Sequence, residues 1–255
     1  MHAFVVAVSA LLGVVVGAVI NLLIDRVPDK VPLTGPREGE VVPPQSWLGL
    51  PAQPWLLRAG RSPDGPLPSR WLWVEIVTIA AFAELAVKWG HTWVLAPLLL
   101  LTASLITVSV IDLQLQRIPD RITYPTFLLS VPAIVAVSVH YDVNGAIKGA
   151  IVGALGYFLF LFVTHMIYPA GMGFGDVKLA AVMGLYLGWL GWSPDLPVAG
   201  PLRLVFYGLM LGCVLGVVFG VAVQIATKKR GAFPFGPALA LGCYVVILFA
   251  TELST

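Results

Sequence analysis

Long apolar stretches alternate with short polar segments along almost the whole chain. A membrane-spanning helix needs about 20 predominantly apolar residues, because each residue advances about 1.5 Å along the helix axis. Eight stretches approach or exceed that length, and we predict a transmembrane helix in each of them: 4–24, 71–90, 94–111, 122–139, 147–168, 177–192, 204–226 and 235–251. The sixth is short, so its ends are the hardest to place. The pattern therefore predicts an all-α polytopic membrane protein.

The composition agrees with this prediction. Of the 255 residues, 58% are hydrophobic and only 11% are charged, whereas a soluble domain usually carries about 25% charged residues. A net charge of +2 without a basic cluster argues against nucleic acid as a partner. The first apolar stretch lacks a basic start and is longer than the core of a secretory signal, so we expect it to remain as the first span.

Basic residues predict how the helices are oriented, because loops on the cytoplasmic side carry an excess of Lys and Arg. With the N-terminus outside, twelve of the fifteen Lys and Arg residues fall in inner segments. Only Lys88, Lys148 and Arg203 fall outside. We therefore predict that both termini lie outside the cytoplasm.

One long polar segment, residues 25–70, separates the first two predicted spans on the cytoplasmic side. It is rich in proline, glycine and charge, which disfavours long helices and central strands. It contains no cysteine. The two cysteines of the chain, Cys213 and Cys243, lie in separate apolar stretches and offer neither zinc-binding spacing nor a disulfide framework.

Two aspartates at the edges of predicted spans are the strongest candidates for chemistry, because acids at a membrane edge are costly to keep there. Asp112 follows an 18-residue stretch without an ionisable residue, and Asp176 ends the glycine-rich segment GMGFGD. The predicted topology places both at the cytoplasmic face. Two carboxyl groups a few ångströms apart share one proton, so one can activate water while the other protonates a carbonyl. We expect Gly171, Gly173 and Gly175 to adopt conformations closed to other residues and to let a substrate approach closely.

Structural roles compete with this interpretation. Asp is a preferred N-cap, so Asp176 would equally cap a helix that begins at 177, and Asp120 is expected to cap the fourth span. Asp112 would equally be an interfacial residue at a helix end. Glu75, near the inner end of the second span, is a candidate for supporting or binding contacts, as is Asp120. Lys178 either extends to the interface or acts on the charge of Asp176.

Other chemistries fit the sequence less well. The chain has no HExxH motif, and none of its four histidines adjoins a glutamate. Ser104, Ser109 and Ser138 are typical of polar contacts between helices rather than of nucleophiles. A small secondary transporter that uses the acids as proton carriers is the alternative function, although it predicts inverted repeats, which are not visible. A structural scaffold and a membrane aspartic protease of general specificity are further alternatives.

At these residues the chain resembles the type IV prepilin peptidases, which are polytopic aspartic proteases of the GxGD class. Five segments carry the resemblance in the same order as in the family: GAVINLLIDRVP (17–28), SRWLWVEIVT (69–78), IDLQLQRIPDRITYP (111–125), GMGFGDVKLAAVMGLYLG (171–188) and FPFGPALALG (233–242). The resemblance implies that Asp112 and Asp176 are the catalytic pair. It also implies three parts, namely a first transmembrane helix (1–24), a cytoplasmic loop (25–70) and a seven-helix aspartic peptidase core (71–255).

The resemblance further implies a substrate, a location and a second activity. The family cuts the basic leader from prepilins and pseudopilins, just ahead of their hydrophobic helix, at the cytoplasmic face of the bacterial cytoplasmic membrane. Many members then N-methylate the new terminus with S-adenosylmethionine, and many carry two CxxC pairs that bind zinc in the first loop. Residues 25–70 lack those cysteines. We therefore expect no zinc site and no cofactor for proteolysis, and methylation stays open.

Overall fold

A computed structural model describes residues 2–30, 33, 54–58, 61–62, 65–169, 171–227 and 234–253. The described residues form ten α-helices: α1 (His2–Arg26), α2 (Trp55–Arg58), α3 (Ser69–Trp89), α4 (Leu95–Leu115), α5 (Asp120–His140), α6 (Gly145–Ile167), α7 (Phe174–Gly191), α8 (Ala199–Thr227), α9 (Gly236–Leu248) and α10 (Ala250–Leu253). Two strands of two residues each, β1 (Arg61–Ser62) and β2 (Gly65–Pro66), pair antiparallel. The prediction of an all-α protein is confirmed.

Each of the eight predicted spans corresponds to one helix. Five helical stretches are long and apolar enough to cross a membrane: His2–Arg26, Leu95–Leu115, Asp120–His140, Gly145–Ile167 and Ala199–Ala222. Helix α9 is shorter but apolar. Helices α3 and α7 are not among these five. Helix α3 includes four charged residues, and α7 has only 18 residues, of which Asp176 and Lys178 are charged. The chain is a polytopic helical membrane protein, while the count of eight spans and the orientation stay predictions.

The predicted cytoplasmic loop lies largely outside the described residues. Of residues 31–53, only Leu33 is described. The part of the loop nearest α3 contains α2, β1 and β2, which are short, as expected for a segment rich in proline. The division of the chain into a first span, a loop and a peptidase core stays a prediction.

The chain forms two compact units, Met1–Thr107 and Val108–Thr255. In the first unit, α1 packs against α3 at close range. A Cβ atom added at Gly13 would lie 2.8 Å from the Cα atom of Ile79, so the two backbones nearly touch. Polar contacts join the same helices, because Asn21 donates to the carbonyl oxygen of Trp71 at 3.1 Å. At the end of α1, Asp25 accepts hydrogen bonds from the side chains of Arg70 and Trp71.

In the second unit, α7 is the central helix. It contacts α5, α6, α8 and α9, and 13 of its 18 residues are buried. A helix that is apolar on all sides and packed among other helices need not face lipid. Most of the surface of α7 therefore faces protein.

Close backbone contacts and two buried hydrogen bonds hold α7 in place. Added Cβ atoms at Gly153 of α6 and Gly184 of α7 would each collide with the carbonyl oxygen of the other residue. Tyr186 of α7 shares a hydrogen bond of 2.7 Å with Ser130 of α5. Trp189 donates to Ser138 at 2.9 Å, so Ser138 is a helix-packing residue, as predicted. These contacts determine where the first turn of α7, which holds Asp176, lies.

Candidate active site

The glycine-rich segment forms a short connection between α6 and α7. Helix α6 ends at Ile167, and α7 begins at Phe174 with Gly173 in the N-cap position. The carbonyl oxygen of Gly173 accepts a hydrogen bond from the backbone N–H of Asp176 at 3.1 Å. Asp176 therefore lies in the first turn of α7, and the prediction that it caps a helix starting at 177 is wrong.

Asp112 lies in the last turn of α4, which continues past the predicted end of the third span. Its Oδ2 atom accepts a hydrogen bond of 3.1 Å from the backbone N–H of Gly236, the first residue of α9. A carboxylate is well placed there, because the first N–H groups of a helix lack partners within the helix and carry partial positive charge. The contact joins residues 124 positions apart in the sequence.

Both aspartates line one cavity of about 500 Å³. The walls come from the end of α4, the α4–α5 and α6–α7 connections, the start of α7 and the residues before α9: Asp112, Gln116, Arg117, Ile118, Pro169, Gly171, Met172, Gly173, Phe174, Gly175, Asp176, Pro234 and Phe235. All three candidate glycines are among them. A cavity of this size is within the range of sites that hold a ligand.

The two acids are almost completely buried. Asp112 is 5% exposed and Asp176 is 7% exposed. Within the described part of the chain, the Oδ1 atom of Asp176 is buried without a hydrogen-bond partner. A buried polar atom without a partner is costly, and such exceptions point to a bound water, ion or substrate group that completes the site. The exposed Arg117 is the basic residue of the cavity wall.

The three glycines of this segment do not adopt unusual backbone angles, and they differ in how much space surrounds them. None of Gly171, Gly173 and Gly175 has a φ angle in the left-handed region, so the expectation of conformations closed to other residues is wrong. What can require glycine here is a neighbouring residue that lies close to the backbone. A Cβ atom at Gly175 would lie 2.8 Å from Cβ of Ile118, whereas one at Gly173 would meet Oδ2 of Asp176 at an ordinary 3.5 Å.

Lys178 and Asp120 form an ion pair between α7 and α5. The ammonium group of Lys178 donates to both carboxylate oxygens of Asp120, at 2.7 and 2.9 Å. It also lies 5.3 Å from the ring centres of Tyr124 and Phe174. Asp120 is the first residue of α5 and Pro119 is the N-cap, so the predicted capping role of Asp120 is wrong. The carbonyl oxygen of Pro119 accepts the first hydrogen bonds of the helix.

Glu75 belongs to the first unit and makes structural contacts there. It is fully buried, and its carboxylate accepts hydrogen bonds from the backbone N–H groups of Trp55 and Leu56. These are the first two residues of the short helix α2. Glu75 thus attaches the end of the polar loop to α3.

Several residues in and around the cavity wall were not among the candidates from the sequence. Phe235 lines the cavity and Gly236 binds Asp112, and both lie in FPFGPALALG, a segment that carried the resemblance without singling them out. His165, in the last turn of α6, contacts the carbonyl oxygen of Met172 through Nδ1 at 2.9 Å. No motif marks that contact. Among the described residues, no group of three or more His, Cys, Asp and Glu side chains could hold a metal ion.

Comparison with known proteins points to one family. The model of the type IV leader peptidase family matches residues 99–221. The chain is 30% identical to the prepilin leader peptidase/N-methyltransferase of Stutzerimonas stutzeri over 217 residues, which cover 82% of this chain and 70% of that protein. It is 29% identical to the protein of that name from Neisseria gonorrhoeae, over 80% of this chain and 67% of the relative. No solved structure matches the chain significantly.

Proposed function

The chain belongs to the type IV leader peptidase family, and on that premise we propose that it is an aspartic endopeptidase that removes the leader peptide of prepilins or pseudopilins. The observation that carries the proposal is the shared cavity, into which α4 and α7 each bring one buried aspartate, Asp112 and Asp176. The names of the relatives supply the substrate class.

In the proposed mechanism, the two carboxyl groups hold one proton between them. The ionised group accepts a proton from a water molecule, which attacks the carbonyl carbon of the scissile peptide bond. The protonated group donates its proton to the carbonyl oxygen, so the tetrahedral intermediate forms without a fixed negative charge. Return of a proton to the leaving nitrogen breaks the C–N bond. The proton belongs to the pair, as in other aspartic dyads.

The surroundings of the pair suit a peptide substrate. The wall that carries Gly171, Gly173 and Gly175 exposes backbone that an extended chain can approach closely. Non-helical backbone within a membrane protein is tolerated where it lines a wet cavity. We propose that the hydrophobic helix of the prepilin lies in the lipid bilayer and that its basic leader enters from the cytoplasmic side of the cytoplasmic membrane.

Replacing either aspartate by asparagine tests this function. Asparagine keeps the size of the side chain but cannot exchange the proton, so Asp112→Asn and Asp176→Asn are expected to lower kcat for leader cleavage by about 10³-fold or more. Purified protein is incubated with a full-length prepilin, and the substrate N-terminus is identified by mass spectrometry.

The matched control is Asp195→Asn, which alters an exposed acid between α7 and α8 and is expected to cleave at the wild-type rate. Each variant must also keep the melting temperature of the wild type in detergent. Normal cleavage by a correctly folded Asp112→Asn or Asp176→Asn protein would refute the aspartic mechanism.

Cofactor use is the second part of the proposal. We propose that proteolysis needs no metal ion, because the two carboxyl groups supply both proton transfers and residues 25–70 contain no cysteine. A chelator is therefore expected to leave the cleavage rate unchanged, and a loss of activity that zinc restores would contradict this.

The relatives' names include an N-methyltransferase. The proposed proteolysis does not use S-adenosylmethionine. When S-adenosylmethionine is added to the same assay, a product heavier by one methyl group identifies the second activity, and an unchanged mass identifies cleavage alone.

A further inference from the structure

A side chain of α6, that of His165, contacts the connection between α6 and α7. His165 lies seven residues before Met172, and its Nδ1 atom is 2.9 Å from the carbonyl oxygen of that residue. Carbonyl oxygens accept hydrogen bonds, so Nδ1 carries the proton and donates it. The imidazole ring also packs against the ring of Phe174, with 5.6 Å between the ring centres. One side chain therefore contacts residues on both sides of Gly173.

This contact acts on the part of the connection that determines the position of Asp176. Residues 168, 169 and 171–173 are not helical, so their backbone carbonyl groups need partners other than helical N–H groups. Met172 immediately precedes Gly173, whose carbonyl oxygen accepts the hydrogen bond from the N–H of Asp176. Holding the carbonyl group of Met172 therefore restrains the peptide that leads into the first turn of α7.

We propose that His165 is a positioning residue for proteolysis, which holds the GMGFGD segment so that Asp176 faces Asp112 across the cavity. The inference rests on the proposed function, because it assigns His165 a role in that reaction. His165 does not line the cavity among the described wall residues, so it acts through Met172 and Phe174 rather than on the substrate. Its loss is therefore expected to affect kcat more than KM.

Three substitutions separate the hydrogen bond from the ring contact. In His165→Asn, the side-chain amide nitrogen can take the place of Nδ1, so the donor remains while the ring is lost. His165→Phe keeps a ring against Phe174 but has no donor. His165→Gln places its amide near the position of Nε2 and therefore serves as a control with a misplaced donor.

Steady-state cleavage of a full-length prepilin by the purified protein is the first measurement. His165→Phe and His165→Gln are expected to lower kcat about tenfold, with KM within about twofold of the wild type. His165→Asn is expected to stay within about threefold of the wild-type kcat. A wild-type kcat in His165→Phe, or an equal loss in the Asn and Phe variants, would overturn the proposal.

Amide hydrogen exchange provides a readout that does not depend on activity. The exchange rate of the Asp176 amide is expected to rise about tenfold in His165→Phe and to stay near the wild-type rate in His165→Asn. Equal exchange in all variants would overturn the positioning role. If the wild-type protein leaves prepilin uncut, the proposed function fails, while the exchange rates still test the role of His165.

Discussion

At the scale of single residues, the absence of a side chain at Gly236 permits the hydrogen bond that holds Asp112. A Cβ atom there would lie 2.8 Å from Oδ2 of Asp112, closer than real Cβ atoms come to other atoms. Gly175 is constrained in the same way by Ile118, whereas Gly173 has ordinary space around it. The glycines around the two acids therefore differ in what they tolerate.

These differences predict a ranking of alanine substitutions. Gly236→Ala is expected to displace the carboxyl group of Asp112 and to lower the cleavage rate about 100-fold. Gly175→Ala is expected to have an effect of similar size, because the Cβ atom of Ile118 cannot rotate away. Gly173→Ala, whose φ of −69° suits alanine, is expected to stay within about threefold of the wild type. Cleavage kinetics of the three purified variants would check the order, and a loss at Gly173 as large as at Gly175 would contradict it.

Sequence reasoning reached the two aspartates but not their surroundings, and the reason is physical. Asp112 follows an apolar stretch and Asp176 precedes one, so each acid is recognisable from its neighbours in the sequence. The hydrogen bond from Gly236 to Asp112 joins distant parts of the chain, and no local pattern encodes it. The capping roles expected for Asp176 and Asp120 were wrong because both residues lie inside the first turn of their helices, whose N-cap residues are Gly173 and Pro119.

At the scale of helices, the position of Asp176 depends on how closely α7 approaches α6. The contact is made through glycines, which let two backbones approach within a distance that any side chain would prevent. Gly149 and Gly188 continue the contact that Gly153 and Gly184 make, because added Cβ atoms at each would collide with the facing backbone. Glycines four residues apart on each helix therefore allow α6 and α7 to pack closely.

Two glycines on α6 provide a matched test of that contact. Gly153→Ala is expected to push α7 away, lower the unfolding free energy by about 1–3 kcal/mol and reduce cleavage. Gly156→Ala, one turn further along α6, places its Cβ atom against the end of the flexible side chain of Leu202. It is expected to change stability by less than about 1 kcal/mol. Denaturation of both variants in detergent, together with cleavage rates, measures the difference, and equal effects would show that the glycine contact is unimportant.

The helices themselves were the most predictable level. Every apolar stretch became a helix, because a long apolar run in a membrane has few alternatives to helical structure. The ends were less predictable. Helix α4 continues to Leu115, beyond the predicted end at 111, and α7 begins at Phe174, ahead of 177. In both cases the helix continues past the apolar stretch, and the two extensions contain Asp112 and Asp176.

At the scale of the whole molecule, the uneven distribution of basic residues determines the expected orientation. The connection between α4 and α5, residues 116–119, is on the same predicted side as most of the Lys and Arg residues. The connections 141–144 and 192–198 are on the other side in this prediction and contain no basic residue. Orientation matters for the proposed function, which requires the leader to meet the two aspartates on the side where prepilins are synthesised.

Cysteine labelling in cells tests the orientation directly. In a chain with Cys213→Ala and Cys243→Ala, single cysteines are placed at Val143, Asp195 and Arg121, which are all exposed. A membrane-impermeant maleimide is added to cells whose outer layers have been opened but whose cytoplasmic membrane is intact. It is expected to label Val143→Cys and Asp195→Cys. Labelling of Arg121→Cys is expected only after the cytoplasmic membrane is permeabilised. The cysteine-free parent gives the background. The reverse pattern would place the cavity on the outer side, where a cytoplasmic leader could not reach it, and would exclude the proposed function in this orientation.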